Sequence, residues 1–306
     1  MDLSKVRYAA TEQEVSAGHE DFYKVLRKRV NSYFKENNIS KYGNATMVIK
    51  TIFMLCLFYV PFVLYLIGTF ESVGMNLLLW VVIGLGMSGI GLSVMHDANH
   101  GAYSKKKWVN TVIGYSLNLM GGHALNWQVQ HNVLHHTYTN VTEIDRDIDP
   151  GPLMRFTPEQ PLRKHHKYQH IYAWFLYTLL SASWIFTKDF KQLRQFRDQG
   201  LLEGRNSYGK LLLELTISKV FYYGYLIVLP IVLRPDMWWV SILGMFIMHF
   251  VCGFILSCIF QLAHVMPEND FPMPVDGKIE RSFEEHQLHK HSFYSSAHFR
   301  IKLLYT

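Results

Sequence analysis

The sequence predicts an all-α integral membrane protein, a four-helix bundle of two hairpins with a cytosolic helical cap that carries a histidine-rich site for two metal ions. Three observations predict it. Four long runs are nearly free of charge, the basic residues crowd into the polar segments on one side of those runs, and histidines cluster where the runs end. With 306 residues, 49% hydrophobic and 18% charged, the chain can bury a large core, which excludes a disordered tail or a small stapled scaffold. The 3 cysteines, Cys56, Cys252 and Cys258, lie inside apolar runs and not in spaced pairs, which argues against a disulfide framework or a zinc ribbon. A formal charge of +6 and a pI near 9.0 suit nucleic acid or a membrane protein with basic loops equally well. The apolar runs decide between them, and nucleic acid is not among the expected partners.

Taken in order, residues 1–50 form a cytosolic N-terminal arm. No small-residue cleavage site accompanies the first apolar run, which starts near position 51, so the arm does not read as a signal peptide. The arm contains a basic amphipathic stretch around Phe22 to Phe34 that fits either a headgroup surface or a solvated helix. Residues 51–70 make the first span, since about 20 residues at roughly 1.5 Å each match a hydrocarbon core of about 30 Å. Residues 72–95 make the second. The third, 211–233, is interrupted by Glu214 and Lys219, both near its N-terminal end where they can reach the interface. The fourth, 237–263, has His249 as its one ionisable group and opens on the interfacial anchors Trp238 and Trp239.

Short links pair the spans into antiparallel hairpins and place the polar segments on one side. That side holds Lys24, Arg27, Lys28, Arg29, Lys105, Lys106, Lys107, Arg163, Lys164 and Lys167, against Arg234 in the opposite linkers, so the positive-inside bias makes it cytosolic. Residues 96–210 form the cap, and its apolar patches Val109 to Met120 and Tyr172 to Phe186 read as interfacial helices. The membrane domain therefore extends over 51–288, and 289–306 is an atypical tail. If the chain is bacterial, the membrane is the cytoplasmic one.

Histidine is the informative excess, at 16 residues. His96 and His100 are four positions apart, so on a helix both imidazoles project from one face. His131 and His135 repeat the device, His136 turns to a neighbouring direction, and His264 follows the fourth span at the level where the second ends. Two turn-spaced clusters joined by a span-end histidine point to metal, whereas His19, His123, His249 and the run His165, His166, His170 read as surface or hydrogen-bonded residues. Imidazole suits zinc, copper, iron and nickel, and no thiolate belongs to the clusters. Many histidines suggest two ions. A dinuclear iron site that activates O₂ beside an apolar channel fits attack on an unactivated C–H bond, while zinc fits hydrolysis better. Glu143, Asp145, Asp147 and Asp149 divide between orienting imidazole N–H groups and forming a solvated turn.

His96-Asp97-Ala98-Asn99-His100-Gly101-Ala102-Tyr103-Ser104 and Gln130 to Asn140 resemble the first two histidine boxes of the membrane fatty-acid desaturases. Asp145 to Arg155 is similar to the segment after the second box in the bacterial front-end type. The resemblance implies a di-iron centre, O₂-dependent insertion of a double bond into a fatty acyl-CoA or acyl lipid, and His96, His100, His131, His135, His136 and His264 as ligands, with no catalytic side chain beyond the metal centre. The haem-binding HPGG motif of the family's cytochrome b5 fusions does not occur, which implies a separate electron donor of cytochrome b5 or ferredoxin type. Trp127 and Gln128 either line the site or pack the cap; Asn99 and Arg155 either position the head group or hydrogen-bond ligands.

The resemblance runs from roughly residue 20 to Leu288. The family's third box, Gln-x-x-His-His, does not occur before Thr306, and the tail histidines His289, His291 and His298 do not copy its spacing. A frameshift or truncation would produce such a break. The alternatives to a desaturase are accordingly a non-catalytic remnant and a di-iron membrane hydroxylase.

Overall fold

The structure, a computed structural model, describes residues 6–9, 22–265 and 269–287. The chain divides into two compact units, each assembled from separated stretches: Met1–Lys41, Val133–Arg163 and Ala263–Thr306 in one, Tyr42–Asn132 and Lys164–Leu262 in the other. Among the described residues four helices are long and apolar enough to cross a membrane: Ala45–Leu66, Val73–Asn99, Tyr208–Leu233 and Pro235–His264. The protein is an all-α integral membrane protein. Ile52, Phe53, Val63, Ile217, Phe221 and Val232 are exposed on these helices, as lipid-facing side chains are.

The first helix begins at Ala45, where Asn44 caps it by accepting from the Met47 N–H at 3.1 Å. Its end is equally defined. Gly68 at φ 68° lets its own N–H reach Tyr65 O at 3.1 Å and the Thr69 N–H reach Leu64 O at 3.1 Å, which satisfies two otherwise orphaned carbonyls and turns the chain toward the second span. Where the spans meet, small residues let backbones approach. A Cβ on Gly86 would lie 2.6 Å from the Phe58 nitrogen, and one on Gly84 would lie 2.8 Å from Met248 O. Trp80, fully buried, packs edge-on against Tyr65 at 5.4 Å, and the Tyr65 hydroxyl hydrogen-bonds Ser241 Oγ at 2.7 Å. Phe58, Ile83, Met87, Ile90, Tyr222 and Met248 belong to the same core.

Two ionisable side chains, His249 and Lys219, are among the polar groups buried on these helices. His249, 0% exposed, lies between Ser181 Oγ at 3.1 Å and the Tyr222 hydroxyl at 2.5 Å. Lys219 turns inward instead of reaching for the interface, with Nζ 2.6 Å from Asp189 Oδ2 and donating to Gly121 O and Trp184 O. The reason is the cost of a lone ammonium in hydrocarbon, which an internal carboxylate and two carbonyls offset.

The other unit is small and polar. Strand β1, Arg7–Tyr8, pairs in parallel with β2, Lys278–Ile279, and Val6, Val141, Ile144 and Ile279 form its buried apolar centre. The helix Phe22–Glu36 also belongs to it. The tail histidines His289, His291 and His298, and His19 in the arm, lie outside the described residues.

Candidate metal centre

The second span ends at His96 and His100, two of the candidate ligands. A π-helical turn, Ile90–Val94, precedes the last helical stretch Met95–Asn99, and His100 caps it. Gly101 at φ 72° closes the end: its N–H reaches Ala98 O at 2.9 Å and the Ala102 N–H reaches Asp97 O at 2.9 Å. His96 and His100 therefore project from a rigid helix end, with ring centroids 4.5 Å apart. His131, on the π-helical segment Gln128–His135, brings its ring to 5.2 Å from each. The three imidazoles offer nitrogen atoms that all lie within 4.8 Å of one another. Metal–imidazole bonds of roughly 2.0–2.1 Å keep two donors on one ion within about 4.2 Å, so sub-ångström movement closes this triad on a cation. The donor chemistry fits a first-row transition metal.

Three side chains hold the triad. Asp97 Oδ1 lies 3.1 Å from His96 Nδ1, which directs Nε2 of that ring outward as a ligand atom. Trp127 lies over His131 at 4.4 Å and meets His96 and His100 edge-on at 5.5 and 5.6 Å. Asn99 ties the pieces together. Its Oδ1 accepts from Gln128 Nε2 at 2.8 Å, its Nδ2 donates to Gly114 O at 3.3 Å, and its carbonyl accepts from Asn132 Nδ2 at 2.8 Å. Gly114 is needed there, since a Cβ would lie 2.5 Å from Asn99 Oδ1.

The remaining candidate histidines, His135, His136 and His264, belong to the other unit. His135 is buried, with ring centroids 4.4 Å from His264 and 5.3 Å from His136. Its Nδ1 lies 2.9 Å from Asp145 Oδ2 and 3.7 Å from Asp147 Oδ2. Asp145, 1% exposed, also accepts the N–H groups of Asn140 at 2.7 Å and Asp147 at 2.9 Å, so both carboxylate oxygens are engaged. Asn140 adopts φ 57°, a conformation Asn tolerates, and its Nδ2 donates to His264 O at 3.0 Å. Of the four acidic residues, Asp145 and Asp147 face His135. Glu143 occupies a left-handed turn at φ 69°, and Asp149 takes the Gly151 N–H and faces Arg146 at 3.7 Å.

Arg155 is engaged with its own loop, donating from Nε to Gln160 O at 2.8 Å and from Nη2 to Pro158 O. Sequence reasoning missed His286. It is 1% exposed, its Nε2 lies 2.8 Å from Thr139 O, and Thr139 Oγ1 in turn donates to His135 O at 2.8 Å. Gln287 donates to His136 O at 3.2 Å. Tyr8 closes this layer, 5.4 Å from the His286 ring, with its hydroxyl on Thr137 O at 2.6 Å. Burial, then Tyr138 and the Asp145 carboxylate, push the Tyr8 phenol above its ordinary range. The signal for His286 in the sequence is only its place in Glu284-Glu285-His286-Gln287, with no partner at helical spacing.

Comparison with known proteins bears on this arrangement. The chain is 34% identical over 278 residues to the acyl-lipid (8-3)-desaturase of Physcomitrium patens, covering 89% of this chain and 56% of that protein. It is 33% identical over 257 residues to the sn-1 linoleoyl-lipid 6-desaturase of Arthrospira platensis, covering 83% and 68%. The protein of the same name from Synechocystis sp. is 31% identical over 264 residues, covering 84% and 70%. No solved structure matches the chain. Residues 72–299 match the family described as fatty acid desaturase, and with the histidine clusters and four apolar helices above, the chain belongs to the fatty acid desaturase family.

Proposed function

We propose that the protein acts as an O₂-dependent acyl desaturase, introducing a double bond into an acyl chain carried on a lipid or a CoA thioester. His96, His100 and His131 would hold one iron ion, and His135, His136 and His264 another. The observation that carries the reading is that each of two histidine groups has a carboxylate on the Nδ1 of one of its rings. Carboxylate–histidine pairs of this kind fix the ring and raise ligand basicity, and they accompany metal sites generally. The relatives support an acyl lipid as substrate, since three of them are named acyl-lipid or linoleoyl-lipid desaturases.

The irons would supply reductive O₂ activation: an acyl CH₂–CH₂ unit, O₂, two electrons and two protons give CH=CH and two waters. The chain's residues supply order. Asp97 and Asp145 hold His96 and His135 with Nδ1 protonated and Nε2 available, Trp127 packs against three ligand rings and limits water, and Asn99 with Gln128 fixes the helix ends that carry the triad. Electrons come from a separate carrier of cytochrome b5 or ferredoxin type, and the histidines face the cytosol.

The test is product analysis of the full chain reconstituted with acyl lipid and a reductase–carrier pair. A new double bond that disappears in His135→Ala and persists in His165→Ala supports the reading. A hydroxylated product, or desaturation retained in His135→Ala, would refute it.

A further inference from the structure

The helix Phe22–Glu36 carries basic residues Lys24, Arg27, Lys28, Arg29 and Lys35 against the single acidic Glu36. Leu26, Val30 and Tyr33 recur at spacings of four and three, so they share one face, and all three are exposed at 45%, 47% and 58%. At 100° per residue, Lys24, Lys28 and Lys35 fall on the opposite face. The helix is a defined object and not a frayed extension of a core. Asn38 at φ 51° ends it, with its N–H on Lys35 O at 3.2 Å and the Ile39 N–H on Phe34 O at 3.1 Å. Eight residues, 37–44, separate it from the first membrane-spanning helix, which begins at Ala45. At no more than about 3.6 Å per residue, that tether keeps the helix within roughly 30 Å of the bilayer.

We propose that this helix is a second, peripheral membrane contact that docks on anionic phospholipid, its Leu26–Val30–Tyr33 stripe entering the headgroup layer and its lysines and arginines meeting lipid phosphate and carboxylate. The apolar stripe selects a lipid surface over an acidic protein partner, because a purely electrostatic contact leaves those three side chains in water. Charge complementarity selects anionic over zwitterionic lipid. The inference rests on the helix and on membrane insertion alone, so it stands or falls independently of the desaturase reading.

The experiment uses the full chain in vesicles, with Cys56, Cys252 and Cys258 replaced by alanine and a nitroxide placed in turn at Val30→Cys, Tyr33→Cys and Lys28→Cys. In phosphatidylcholine–phosphatidylserine vesicles, the labels at 30 and 33 should be several-fold less accessible to an aqueous relaxing agent than the label at 28. That contrast should collapse in phosphatidylcholine alone and in the Arg27→Glu, Lys28→Glu, Arg29→Glu variant labelled at 33. Equal aqueous accessibility at all three sites in the anionic vesicles would overturn the proposal. So would protection that is the same without anionic lipid, or that arises only on adding an acidic carrier protein.

Discussion

Replacing Asp145 by asparagine tests how much of the metal affinity is held outside the ligands themselves. The carboxylate takes three donors: Oδ2 accepts from His135 Nδ1 and the Asn140 N–H, and Oδ1 from the Asp147 N–H. An amide in the same place has one acceptor oxygen. Its better orientation keeps the oxygen on His135 and Asn140 and turns the NH₂ against the Asp147 N–H, leaving a buried donor facing a donor. That costs about 1–3 kcal/mol of stability. The imidazole also loses a charged partner, and changes at such positions lower metal affinity by about 10–100-fold, or roughly 1.4–2.8 kcal/mol. The measurement is Fe(II) binding by the detergent-solubilised protein against a competing chelator, with circular dichroism to establish that the helices persist. An affinity within about twofold of the parent protein, with unchanged helicity, would refute the argument that Asp145 holds His135 for a metal.

Four further outcomes are expected. Gly114→Ala should push Asn99 off its partners, an overpacking cost of about 1–3 kcal/mol, and should weaken metal binding at the His96, His100, His131 triad when followed by the same chelator competition. Lys219→Met leaves Asp189 buried without its cation and should destabilise by about 3–5 kcal/mol in a detergent unfolding assay, with much of the loss recovered by adding Asp189→Asn. Gly244→Ala would drive a Cβ into the Trp80 ring and should lower the thermal midpoint, while Trp80→Phe in the same chain should relieve part of the effect. Tyr115 is pushed up to about 12 by burial, by its hydrogen bond to Glu214 at 2.9 Å and by that carboxylate's charge. Glu214→Gln removes the coulombic cause and weakens the hydrogen bond, since an amide oxygen still accepts from the phenol, so the phenol should titrate at lower pH while burial still holds it above 10.0; difference absorbance against Tyr115→Phe reads the shift.

The membrane-spanning helices were legible because hydrocarbon thickness forces long uncharged runs, and no tertiary knowledge is needed to read one. Their starts were less so. Lys50 bounds the first uncharged run, which starts at Thr51, yet the helix begins at Ala45, since a lysine near a helix end is compatible with the interface and Asn44 sets the cap. Lys219 shows the limit more sharply. Its partner lies 30 residues away on another helix, and nothing in the local sequence distinguishes an inward ammonium from one that reaches outward. The histidines at spacings of four were legible as pairs, but His264 reaches His135 only through the fold, and the Thr139 carbonyl that holds His286 is 147 residues distant. Among the acidic residues after the second cluster, composition could not separate Asp145 and Asp147 from Glu143 and Asp149. The fold does so, with Asp145 and Asp147 at 2.9 and 3.7 Å from His135 Nδ1 and Asp149 facing Arg146.

The π-helical turn Ile90–Val94, just ahead of His96, makes the second span two rotors on one shaft. One residue absorbed in such a turn offsets everything beyond it by about 100° from the setting an uninterrupted α-helix would give, without changing which side chains below it meet lipid. The angular setting of His96 and His100 is therefore adjustable separately from the lipid-facing pattern between Val73 and Gly89. Removing one residue within the turn would let it close to α-helical geometry and leave both imidazoles near their present setting, whereas the same deletion in a uniform α-helix would swing everything beyond it by about 100°.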